Sequence, residues 1–62
     1  MVSRAKISQF LEGIDFPAGR QQIIEYAQNN NAPSDVLDML EQLPDTVYYS
    51  IAGIWEAISK VA

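Results

Sequence analysis

Histidine and cysteine are both absent from this 62-residue sequence. Their absence removes the imidazole base, the thiolate nucleophile, the Ser-His-Asp triad, the disulfide and the ordinary zinc site together. Positive charge is scarce: four Lys and Arg stand against eight Asp and Glu, a formal net charge of -4. Non-specific binding to nucleic acid or to an anionic membrane needs clustered cations, so neither partner is expected. No apolar run approaches the roughly 20 residues that cross a bilayer. At the N-terminus Arg4 and Lys6 are followed by Ser8, Gln9 and Glu12, which interrupt any signal-peptide core. A cytoplasmic, soluble chain is the expectation.

What remains is 48% hydrophobic and 19% charged, the balance of a folded chain and not of an acidic disordered tail. A single domain over residues 1–62 is expected. A chain this short buries only about 60% of the surface that it exposes when unfolded, so its core is marginal. Helix packing or self-association has to supply the stability.

The apolar residues recur at three and four, not at two, which predicts an all-α fold: a compact bundle of four short helices over about 4–12, 20–29, 33–42 and 51–60. In the first, Ile7, Phe10, Leu11 and Ile14 share a face, Ser3 is placed to cap the start and Gly13 to stop the end. Phe16 precedes Pro17 and is therefore extended, in a connector. Gly19 caps the second helix, with Gln22 at its third position; Ile23, Ile24 and Ala27 point inward and Tyr26 lies at the edge. Asn29-Asn30-Asn31 suits a helix end, because Asn tolerates the left-handed conformation. Pro33 and Asp35 fit the first turn of the third helix, whose core residues are Val36, Leu37, Leu40 and Leu43. Ser50 caps the last helix. Ile51, Ile54, Trp55, Ile58 and Val61, widened by Ala52, Ala57 and Ala62, give that helix so broad an apolar arc that it is expected either at the centre of the bundle or in a homodimer interface. The expected core is Ile7, Phe10, Leu11, Phe16, Ile23, Ala27, Val36, Leu37, Leu40, Leu43, Ile54, Trp55 and Ile58. Leu11-Glu12, Phe16-Pro17 and Ile23-Ile24-Glu25 are loosely echoed by Leu40-Glu41, Leu43-Pro44 and Ile54-Trp55-Glu56, which reads as two helix–connector–helix units of similar chemistry.

Phe10-Leu11-Glu12-Gly13-Ile14-Asp15-Phe16-Pro17-Ala18, Ile24-Glu25-Tyr26-Ala27, Asn31-Ala32-Pro33 and Leu40-Glu41-Gln42-Leu43-Pro44-Asp45 with Tyr48 and Ser50 resemble a family of small bacterial domains of unknown function. Its members read approximately L-x-G-x-D-F-P-A, then helices, then L-P-D-x-x-Y-x-S. The resemblance implies a small helical fold and no activity. The chain departs from the pattern at Gly19, where Ser or Thr is usual, at Asn31, where Gly is usual, and at Ile51, where Pro often opens the last helix.

Two surface features stand out. Between Gln21 and Ser59 there is no Lys or Arg, and Asp35, Asp38 and Glu41 follow at threes on one helix as an acidic face. Carboxylates at that spacing repel by roughly 0.2–0.5 kcal/mol per pair, and a solvated face that keeps the chain soluble is the expected reading, ahead of a face for a basic partner. A helix surface does not converge six oxygens on one point, so no metal is expected there, and the sequence carries no cofactor motif. The second feature is Tyr48-Tyr49 beside Ile51, a candidate partner-binding patch in which one tyrosine packs with its hydroxyl bonded and its neighbour stays exposed. Four helices of about ten residues leave little room for a catalytic cleft, so no enzyme is expected. The function expected is a non-catalytic protein-interaction or adaptor module. The alternative is a nucleic-acid-associated domain using Arg4, Lys6 and Arg20, which the acidity of the third helix disfavours.

Overall fold

The computed structural model describes residues 2–61. Helix α1 runs from Arg4 to Leu11, α2 from Arg20 to Asn29, α3 from Ser34 to Glu41 and α4 from Ile51 to Val61. Two strands of two residues, β1 at Ala18–Gly19 and β2 at Val47–Tyr48, pair antiparallel, Ala18 opposite Tyr48 and Gly19 opposite Val47. The fold is therefore mostly helical with a small sheet, and not purely helical as the periodicity predicts. Two residues are too few to show a period of two, and Ala18-Gly19 has little strand preference. The order helix–strand–helix occurs twice, α1-β1-α2 and α3-β2-α4, and each unit gives one strand to the shared pair.

The helix ends follow the residues placed there. The Lys6 backbone N–H donates to Ser3 Oγ at 3.1 Å. Gly19 N–H donates to Gln22 Oε1 at 2.8 Å, and Gly53 N–H to Ser50 Oγ at 3.3 Å. Gly13, just beyond α1, has φ +84°, which a glycine adopts without the penalty a Cβ brings. A Cβ there would also stand 3.1 Å from the Tyr26 hydroxyl. Pro33 precedes α3 as an extended N-cap instead of opening its first turn; its carbonyl accepts from Val36 and Leu37, each at 3.1 Å. The Phe16–Pro17 peptide is cis.

Asn31 ends α2 in the left-handed conformation, φ 63°. Its N–H donates to Gln28 O at 3.0 Å and that of Ala32 to Ala27 O at 3.0 Å, the paired closure of a Schellman motif. Since Asn adopts this conformation at some cost and Gly at almost none, Asn31→Gly is expected to raise stability by about 0.5 kcal/mol and Asn31→Ala to lower it by about 1 kcal/mol. Urea midpoints at constant slope check both.

Helix α2 is the centre of the domain. It buries Ile23, Ile24 and Ala27 and packs against α1, α3 and β1. Ile7, Leu11, Val36, Leu40 and Leu43 close around it, with Ala18 and Tyr48 from the strands and Ile54 from α4. The arc of α4 does not take it to the centre: only Ile54 is buried, Ile51, Trp55, Ala57 and Ile58 are half-buried, and Val61 is exposed. An apolar arc that wide cannot be covered from one side by so small a domain. Ala62 lies outside the described residues. Phe10, Phe16, Leu37, Trp55 and Ile58, expected in the interior, pack half-buried on its margin, while Ala18, Ile24 and Tyr48 are fully inside.

Candidate functional site

The two adjacent tyrosines, the last residue of β2 and the one after it, face opposite ways. Tyr48 turns inward and is 5% exposed; its hydroxyl donates to Pro44 O at 2.7 Å and its ring lies against Gly53 of α4. Tyr49 turns outward and is 75% exposed, and Val47, on the same outward side of the strand, is 48% exposed. Of the expected partner-binding patch, Tyr48 is therefore a core residue, and Tyr49 and Ile51 carry the accessible surface. Burial pushes the Tyr48 hydroxyl above its ordinary pKa; the charge of Arg20 opposes this and that of Asp45 adds to it.

Ile51 also walls the larger groove, an open hollow of about 600 Å³ between α1, the loop that follows it and the start of α4. Ile14, Phe16 and Ile51 make its apolar surface with the buried Leu11 beneath them, and Ser8, Gln9 and Glu12 its polar margin. The loop is held in place from α2 and its C-cap: Tyr26 Oη donates to Glu12 O at 2.7 Å, and Asn30 Nδ2 donates to Phe10 O at 3.1 Å. Both bonds satisfy carbonyls at the C-terminal end of α1 that the helix leaves without a partner. Sequence periodicity could not reveal this groove, because it puts Phe16 in the interior and says nothing of the path of the loop. The hollow is also larger than four short helices lead one to expect, but its lining holds one carboxylate, Glu12, and no base to work with it. A smaller hollow of about 310 Å³ lies beside Pro44, Thr46 and Tyr48 on the other side of α4 and is lined by Glu56 and Lys60.

The acidic face is smaller than its sequence. Lys6 Nζ donates to Asp35 Oδ2 at 2.9 Å, and the Val36 N–H to Asp35 Oδ1 at 2.9 Å, so Asp35 is occupied while Asp38 and Glu41 face solvent. Among the described residues, no three acidic side chains lie together closely enough to hold a metal ion. Arg20 reaches the far end of α3, donating to Glu41 O at 3.3 Å and Leu43 O at 3.4 Å. Two of the three cations named for a nucleic-acid surface, Lys6 and Arg20, are thus engaged within the domain. Among the described residues, no helix is long and apolar enough to cross a membrane.

The hydrogen bond from Lys6 holds the Asp35 carboxyl below its ordinary pKa, helped by the Val36 N–H, with desolvation opposing. A carboxyl depressed in the folded state stabilises the fold above the ordinary carboxylate range and loses that contribution as pH falls through it. Stability is therefore expected to decline below about pH 4. Thermal melts across that range should show a shallower decline for Asp35→Asn, and added salt should narrow the difference because the pair is exposed.

No curated protein and no solved structure matches the chain. A family model does, over residues 2–55, a span that contains both strands, the first three helices and every residue of the larger groove. On that match the chain belongs to the family described as protein of unknown function, DUF2795.

Proposed function

We propose that this chain is a non-catalytic protein-interaction module of the adaptor kind, and that its contact surface is the groove between α1 and α4 together with Tyr49. One observation carries the reading: three half-buried apolar side chains, Ile14, Phe16 and Ile51, line an open hollow over the buried Leu11 on a domain this small. Contiguous apolar surface open to solvent on a small soluble domain characteristically serves a partner. An exposed tyrosine two residues ahead of Ile51 supplies the kind of aromatic anchor on which interfaces concentrate their binding energy.

Affinity capture from an extract of the native cells, using the wild type beside Tyr49→Ala and Ile51→Ser, tests this. A partner recovered specifically by the wild type and lost with either variant supports the reading. Equal recovery by all three chains overturns it. Neither residue belongs to the fully buried core, so circular dichroism should show all three folded.

A further inference from the structure

Charge around the larger groove points to the chemistry of what fills it. Glu12 stands on its wall, and Asp15 lies in the loop between the lining residues Ile14 and Phe16. Both are exposed. Among the described residues the ion pairs are Lys6–Asp35 and Lys60–Glu56, so neither groove carboxylate is compensated from within the domain. Arg20 is turned to the carbonyls that end α3. Arg4 stands at the opposite end of α1, beside the lining residue Ala5, and makes no ion pair with Glu12.

We infer that the groove takes a basic amphipathic segment of a protein partner: a bulky apolar side chain seated among Ile14, Phe16 and Ile51, over Leu11, with Lys or Arg flanking it toward Glu12 and Asp15. This rests on the interaction reading and adds the class of partner. A second copy of the chain fits the site less well. Its one stretch with two cations close together, around Arg4 and Lys6, already has Lys6 paired with Asp35. The rest of the surface is predominantly acidic, and like charges facing each other across an interface work against docking.

The test is a titration of the isotopically labelled chain, followed by amide NMR shifts, with two peptides of about twelve residues. One has Leu and Trp on a helical face and Lys on the other; the second has Glu in place of every Lys. The basic peptide is expected to move the amides of Gly13, Ile14, Phe16 and Ile51, to bind several-fold more weakly in high salt, and to lose about fivefold in affinity against a Glu12→Gln/Asp15→Asn chain. The acidic peptide is expected not to bind. Equal binding of both peptides overturns the basic class while leaving the interaction reading intact. Shifts confined to Asp38 and Glu41 move the site to α3 and overturn the inference. Movement of the groove amides on raising the chain concentration alone assigns the groove to a second copy and also overturns it. No binding of either peptide defeats the inference, and the capture experiment with Tyr49→Ala then decides separately whether an interaction module remains.

Discussion

Ile54→Ala is expected to leave the chain largely unfolded at room temperature. Ile54 is completely buried and is the only buried side chain of α4. Truncation of a buried isoleucine costs about 2–5 kcal/mol, through the lost transfer free energy and the cavity that stays behind. A single core in a chain below about 70 residues supplies about 3–5 kcal/mol in all, so the loss is comparable with the whole. Urea unfolding followed by Trp55 fluorescence and by far-ultraviolet circular dichroism reads the outcome. Trp55 is the sole tryptophan and lies on α4 itself, whereas dichroism reports all four helices. If the two signals move together to low urea, α4 and the rest unfold as one body. If the fluorescence transition alone shifts, α4 comes away first. A midpoint within about 1 kcal/mol of the wild type would show that the half-buried margin, and not Ile54, holds the helix.

The second large effect separates neighbouring tyrosines. Tyr48→Ala is expected to destabilise by about 3–5 kcal/mol, because it empties the space between β2 and α4 and removes a hydroxyl bonded to Pro44 O. Tyr48→Phe keeps the ring and is expected to lose about 1 kcal/mol, the contribution of one hydrogen bond. Tyr49→Ala, at an exposed position, should stay within about 0.5 kcal/mol. Denaturant midpoints of the three variants check the series. Comparable losses at both positions would contradict the opposite facing of the two tyrosines. The same burial makes the Tyr48 contribution sensitive to base: with its pKa raised in the fold, it is present below about pH 10 and lost as the hydroxyl ionises above that.

Much of the backbone was legible in the sequence, for a local reason. Ser3, Gly13, Gly19, Asn31 and Ser50 each act within a few residues of their own position, and each stands at a helix boundary of the fold. The interior was less legible because burial depends on what packs against a face. Periodicity groups Phe10, Phe16 and Trp55 with Ile7 and Ile54, although the former lie at the margin. It could not anticipate that Ala18 and Tyr48 would be drawn inside by a strand pair formed between residues 30 apart in the chain. The acidic run was visible as composition. Its partial neutralisation by Lys6 was not, since that contact spans 29 positions. Family membership adds no site residues, so the groove is known from geometry alone.

Four long-range bonds run from side chains of α2 and of its C-cap residue Asn30 to the ends of its neighbours. Tyr26 and Asn30 reach the last carbonyls of α1, and Arg20 reaches those at the end of α3, so one helix closes the termini of two others. Neither neighbour can fray from that end without breaking a bond to α2, which ties the first three helices into a common hub. Helix α4 sits outside this arrangement and meets the others mainly through β2. The groove therefore has one wall on this cross-linked three-helix body and the other, at Ile51, on a helix held by apolar packing around the buried Ile54.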